Sequence, residues 1–264
     1  MKVVLFCGGL GTRLREFSET IPKPMVPIGY RPVIWHVMRY YAHFGHREFV
    51  LCLGHRGDVI KEYFLNYNEC LSNDFTLSAG GRNVKLFNND ISDWTISFVD
   101  TGQLSNLGQR LVAVRDHLKG EDVFLANYSD GLTDMNLDQQ LAHFYQRDAV
   151  GSLLLVRPTN QSFHFASVGD EDRVAQITPI QETGLWVNGG FFILKQQIFD
   201  YIEDGDELVH EPFMRLTGEG KLIGYRHSGF WSCMDTFKDK KMLDDMYSRG
   251  DRPWEVWHGQ KHVD

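Results

Sequence analysis

Residues 8–13 read Gly8-Gly9-Leu10-Gly11-Thr12-Arg13, and Lys23-Pro24 follows after a nine-residue gap. Glycine N–H groups with no side chain in the way can wrap a polyphosphate. Arg13 and Lys23 set two fixed positive charges beside that nest, which suits a pyrophosphate group. The spacing is not that of a dinucleotide fingerprint, because Leu14 stands where the third glycine belongs and no acidic residue follows at the ribose position. Nor is it a P-loop, since Arg13 follows Gly11-Thr12 where Gly-Lys-Ser/Thr is required. The plain alternative is a glycine-rich turn after a first strand.

Two carboxylates are candidates to accompany these charges. Asp130, in Tyr128-Ser129-Asp130-Gly131, follows an apolar run. An Asp before Gly is commonly a turn residue. Asp235, in Cys233-Met234-Asp235-Thr236, precedes an amphipathic run from Phe237 to Tyr247. Either Asp235 or Thr236 would cap that helix. Two carboxylates on different elements can instead hold one Mg²⁺, which prefers oxygen ligands and bridges phosphates. Both readings stay open on the residues alone.

The elements that must position these groups alternate. Strands are expected at residues 2–7, 49–53, 94–99, 123–126 and 152–156. Helices are expected from Pro32 to Gly45, over 59–64, 107–118, 138–147 and 237–247. This alternation predicts an α/β fold with a doubly wound, mostly parallel, Rossmann-like sheet. Ligands of such sheets bind beyond the carboxyl ends of the strands. Gly8 to Arg13, Thr101-Gly102 and Asp130 all fall at such ends, so one rim is expected to gather them. The polar stretch 70–93 reads as an insertion or lid, and 251–264 as a polar, frayed tail. The whole chain, 1–264, is expected to be one domain.

Composition bounds the function. The 264 residues are 42% hydrophobic and 23% charged, which suits a globular protein with a sizeable core. No stretch approaches the ~20 apolar residues of a membrane span. Met1-Lys2 leads straight into a strand-like run, so no secretory leader is expected. The four cysteines show no CxxC spacing, a cytoplasmic usage. A net charge of −8 argues against nucleic-acid binding and requires positive charge to be gathered locally for any anionic substrate.

The glycine segment with Lys23-Pro24 resembles the signature of the sugar-1-phosphate nucleotidyltransferase family, and within it the bacterial glucose-1-phosphate cytidylyltransferases. The likeness continues through Pro32-Val33-Ile34-Trp35-His36, Val99-Asp100-Thr101-Gly102, Ser129-Asp130-Gly131, Asn188-Gly189-Gly190-Phe191-Phe192, Glu211-Pro212 and Met234-Asp235-Thr236, and closes at Pro253-Trp254. It spans nearly the whole chain. It implies the GT-A-like nucleotidyltransferase fold with a small antiparallel β appendage. It implies that Gly8, Gly9, Gly11 and Thr12 hold the triphosphate while Arg13 and Lys23 neutralise the leaving pyrophosphate. It makes Asp130 and Asp235 the Mg²⁺ ligands. Thr101, Gly102 and Gly108 bound the nucleotide-binding loop that meets the base, and Tyr128, Asn188 and Glu211 face the sugar. The expected partners are CTP and a phosphorylated small-molecule acceptor, with neither nucleic acid nor membrane. The protein is expected as a cytoplasmic homo-oligomer that supplies a nucleotide sugar for polysaccharide biosynthesis.

The departures concentrate on the acceptor side. The family carries a Glu-Lys-Pro segment whose Lys holds the sugar phosphate. Here Ile177-Thr178-Pro179-Ile180-Gln181-Glu182 has no Lys. Leu107-Gly108-Gln109-Arg110 stands for Thr-Gly-Gly-Arg, and Ser162-Phe163-His164-Phe165-Ala166 for Arg-Phe-Gly-Ala. Arg110, Arg157, His164 and Arg173 are the candidates to supply a substitute cation. Two alternatives therefore accompany the main reading: a cytidylyltransferase for a non-glucose phosphorylated metabolite, and a nucleotide-binding regulatory homologue without turnover.

Overall fold

The computed structural model describes residues 1–9, 21–158 and 164–258. Strand β1 (Lys2–Phe6) precedes a short ladder of β2 (Pro27–Ile28) and β3 (Arg31–Pro32), then helix α1 (Val33–His43). Next come β4 (Glu48–Leu53), α2 (Gly57–Leu65), the hairpin β5 (Phe75–Ser78) and β6 (Asn83–Leu86), β7 (Thr95–Asp100) and α3 (Leu107–Ala113). The middle of the chain holds β8 (Val123–Tyr128), β9 (Gly131–Thr133), α4 (Leu137–Tyr145) and β10 (Gly151–Val156). A second hairpin, β11 (His164–Val168) and β12 (Val174–Pro179), leads to β13 (Val187–Asn188), β14 (Phe192–Lys195) and α5 (Glu211–Gly218). The chain continues with β15 (Leu222–His227), β16 (Trp231–Cys233) and α6 (Phe237–Arg249).

β1 is the axis of the main sheet. It pairs in parallel with β4 on one side and β8 on the other, and β4 pairs in parallel with β7. Beyond β8 the sheet continues through β14 and β10, with β15 parallel to β10 on the far side. β13 and β14 run against their neighbours, so the sheet is mostly parallel, as expected. Small antiparallel ladders lie outside it.

Burial explains why residues 2–6 read as an unbroken apolar run. Val3 and Leu5 enter a core with Ile34, Val37, Met38 and Tyr41 of α1. Val4 and Phe6 enter the opposite core with Leu111 of α3 and Phe213 and Leu216 of α5. A strand covered on both faces loses the polar half of its alternation.

Two expectations need adjustment. The helix expected over 107–118 is α only to Ala113. Val114 leaves helical geometry at φ −100°, and Arg115–Leu118 tightens into a 3-10 turn that still buries Leu118. Residues 251–258 are packed, not frayed: Trp254 is 1% exposed and Trp257 meets the Trp35 ring edge-on. The polar residues around the two tryptophans conceal this in the sequence. Residues 70–93 carry the exposed β5–β6 hairpin, but their base is anchored. Asp90 accepts from Arg31 Nη2 (3.1 Å) and from the Tyr67 hydroxyl (2.7 Å), and Arg31 is itself only 2% exposed.

Candidate active site

A cleft of about 470 Å³ opens at the carboxyl ends of β1 and β8. Its walls include Gly8, Gly9, Lys23, the 103–107 loop, Tyr128, Ser129, Asp130, Glu207 and Asp235. Gly11, Thr12 and Arg13 lie outside the described residues.

The two carboxylates come from one local device. β9 and β16 form an antiparallel ladder in which Gly131 faces Cys233, and Met234 N–H donates to the Asp130 carbonyl (3.1 Å). Asp130 precedes one strand and Asp235 follows the other, so the ladder carries both to the same corner. Asp235 turns inward because Thr236 takes the capping work. The Thr236 hydroxyl accepts from Asp239 N–H, and the Asp239 carboxylate accepts from Thr236 N–H (2.8 Å). That capping box opens α6.

Lys23 completes the corner from a 3-10 turn, Lys23–Met25, that Pro22 and Pro24 stiffen. Its ammonium is clasped by both Asp130 and Asp235, with all three side chains less than a third exposed. Burial alone would lower the Lys23 pKa, but the two carboxylates outweigh it and hold it above its ordinary value. The ammonium occupies the point where oxygen donors of two carboxylates converge. An all-oxygen pair of this kind fits a hard divalent cation such as Mg²⁺. Among the described residues no group of three or more His, Cys, Asp or Glu is placed to hold a metal, so phosphate and water oxygens would have to complete the shell.

The other wall is organised by Arg110, 3% exposed. Its Nη1 donates to the Leu53 carbonyl (3.1 Å) and the Thr101 hydroxyl (2.7 Å), and its Nη2 to the Gly8 carbonyl (3.0 Å). One guanidinium thus ties the ends of β1, β4 and β7 together. This corrects its placement as a cation for the acceptor: its donors are committed to the protein. It also gives Gly8 a reason beyond phosphate access, because a Cβ there would coincide with the guanidinium. Among the described residues, nothing lies within 4 Å of a Cβ placed on Gly9.

The remaining expected residues divide. Tyr128 lines the cleft, and Asn188 donates to its hydroxyl (3.3 Å). The Asn188 side-chain oxygen accepts from Gly190 N–H (2.9 Å), and Gly190 sits at φ +79°, closing the tight turn between β13 and β14. Glu211 accepts from Glu207 N–H (2.9 Å) and pairs with His210, away from the cleft wall. Thr101 serves Arg110, Gly102 turns at φ +90°, and Gly108 packs against the Asp206 carbonyl. None of the three reaches the wall. Glu207 was not foreseen. It lines the cleft and accepts from Leu107 N–H (3.4 Å), and no spacing in the sequence marks it. Of the other cation candidates, Arg173 pairs with Glu171 (3.0 Å) on the surface, His164 is exposed, and Arg157 stacks on Trp186 (4.2 Å).

Known proteins resemble this chain in sequence and in fold. The glucose-1-phosphate cytidylyltransferase of Salmonella typhimurium is 36% identical over 262 residues, covering 97% of this chain and all of that protein. The mannose-1-phosphate guanyltransferase of Emericella nidulans is 28% identical over 250 residues, covering 92% of this chain and 62% of that protein. Among solved structures, UTP-bound UGPase from Acinetobacter baumannii superposes with a TM-score of 0.68 at 18% identity, covering 93% of this chain and 92% of that one. No helix among the described residues is long and apolar enough to cross a membrane. The pattern described as "Nucleotidyl transferase" matches residues 2–215, and the chain belongs to that family of enzymes.

Proposed function

We propose that the protein joins CTP to a sugar 1-phosphate, giving a CDP-sugar and pyrophosphate. The observation that carries this reading is the convergence of Lys23, Asp130 and Asp235 beside Gly8 and Gly9. The 36% identity to a glucose-1-phosphate cytidylyltransferase supports the choice of CTP over other nucleotides. An acceptor phosphate oxygen attacks the α-phosphorus, the α–β phosphoanhydride bond breaks, and pyrophosphate leaves with the electron pair. Such a reaction asks for positioning and charge stabilisation more than proton transfer.

Lys23 supplies positive charge to the phosphates, with Arg13 on the leaving group. Asp130 and Asp235 would hold Mg²⁺. When bound, that ion supplies charge neutralisation between the two phosphates that must approach each other. The 103–107 loop, fixed by Arg110, faces the base, and Tyr128 with Asn188 faces the sugar. The same reading makes the protein a cytoplasmic homo-oligomer serving polysaccharide biosynthesis. Pyrophosphate release with CTP, Mg²⁺ and a panel of sugar 1-phosphates tests the proposal. Release that needs all three supports it; CTP binding without release from any acceptor contradicts it.

A further inference from the structure

Arg157 and Arg226 flank one indole. The Arg157 guanidinium lies 4.2 Å from the Trp186 ring centre and that of Arg226 5.5 Å from it. Arg157 follows β10, Trp186 precedes β13, and Arg226 belongs to β15. Leu155 of β10 is paired with both Asn188 and Arg226. Side chains of paired positions share a sheet face, as do residues two apart in a strand. Asn188, Leu155 and Arg226 therefore stand on one face, and Arg157 and Trp186, one residue beyond their strands, meet Arg226 through the indole. That face is the one on which Asn188 meets Tyr128 at the cleft.

Among the described residues, no carboxylate pairs with either guanidinium. Among the described residues, Arg157 donates to the Leu185 carbonyl (3.2 Å). Two like charges held on one ring repel, and a chain of net charge −8 has carboxylates to spare for neutralising them. Stacking on an aromatic face holds a guanidinium in place and leaves its edge N–H groups free for an anion. The shelf lies on the sheet strands beyond Asn188. Strand spacing puts Arg226 roughly 14 Å across the sheet from Tyr128.

We propose that Arg157, Arg226 and Trp186 form a second anion subsite, and that the acceptor is a sugar 1-phosphate bearing another anionic group, a phosphate or a carboxylate, at its far end. This rests on the assignment of the acceptor side of the cleft given above. The stretch from Ile177 to Glu182 has no Lys, and this pair of arginines offers positive charge on the sheet face that carries Asn188.

Equilibrium titration of the full chain with glucose 1-phosphate, glucose 1,6-bisphosphate and glucuronic acid 1-phosphate, with Mg²⁺ present, tests it. At least one doubly anionic sugar should bind tighter than glucose 1-phosphate by about tenfold or more, the size of one charge-assisted hydrogen bond. Which one does so identifies the group. In Arg157→Gln/Arg226→Gln that preference should vanish, with the thermal midpoint confirming the fold. Arg226→Gln alone, at an exposed position, should lose part of it. Equal affinities, no binding of any of the three, or a preference that survives the double substitution overturns the subsite. Pyrophosphate release with CTP is read separately, so loss of the subsite and loss of the reaction assignment are distinguishable.

Discussion

The guanidinium of Arg110 fills the space that a Cβ on Gly8 would need, and donates to the Gly8 carbonyl at 3.0 Å. The first residue of the glycine segment is thus shaped by a side chain from α3. Gly54, at the end of β4, makes room for the same group: its Cβ would lie 2.9 Å from Arg110 Nη1.

Gly8→Ala should displace Arg110 and lose about 1–3 kcal/mol of stability by overpacking. Nucleotide use should fall by about 10²-fold, because the 103–107 loop shifts with Arg110. Denaturant titration and steady-state kinetics check both effects. Unchanged nucleotide kinetics would detach Arg110 from the nucleotide wall.

Asp130→Asn and Asp235→Asn should each cut turnover by ~10²-fold or more, as expected when a charged stabiliser is removed. Chelation with EDTA should abolish activity, and added Mg²⁺ should restore it in the wild type. Near wild-type rates in both variants at limiting Mg²⁺ would remove the pair from the metal site.

Asp90→Ala leaves Arg31, 2% exposed, without its carboxylate. Stripping one partner from a buried pair costs about 3–5 kcal/mol. Urea unfolding should show that loss, with increased protease cutting in 70–93. The Arg31 bonds to Ser72 and to the Asn68 carbonyl (2.8 Å) hold the same segment and set the lower end of the range.

His36 gives a pH prediction. Burial, aided by the nearby charges of Arg252 and Arg31, pushes its pKa down to about 4, against the bond to the Ile28 carbonyl. Its unfolded value is 6.5. As pH falls, the unfolded chain takes the proton first, so stability is full above 6.5 and is lost towards 4. The loss is on the order of 3 kcal/mol across that window. His46, also held near 4 by burial, adds a loss of the same sign. Urea midpoints at pH 7 and pH 5 should therefore differ less in His36→Gln than in the wild type.

Much of this arrangement can be read from sequence because it is local. Buried strands ending in glycine or Asp130 announce themselves, and Pro32 and Gly45 bracket α1. The orientation of β14 is not local information. Phe192, Ile193 and Leu194 are buried on both faces, so the run reads alike in either direction. The role of Arg110 was misread for a similar reason. Leu53, Thr101 and Gly8, which it bonds, stand at strand ends far apart in the chain, and a lone Arg on a helix looks like a free cation. The choice between Asp235 and Thr236 as helix cap needed geometry too, since either residue type suits the position.

Pairing of β1 with both β4 and β8 has a consequence for how the chain is made. During synthesis β1 emerges long before the strand that closes its other edge, and its apolar residues wait uncovered. Distant parallel pairings form slowly, and unpaired apolar strands are the ones that associate wrongly. Gly8 must likewise wait for Arg110 before its backbone is held. Gly8 is thus among the first parts of the cleft to leave the ribosome and among the last to take its final place.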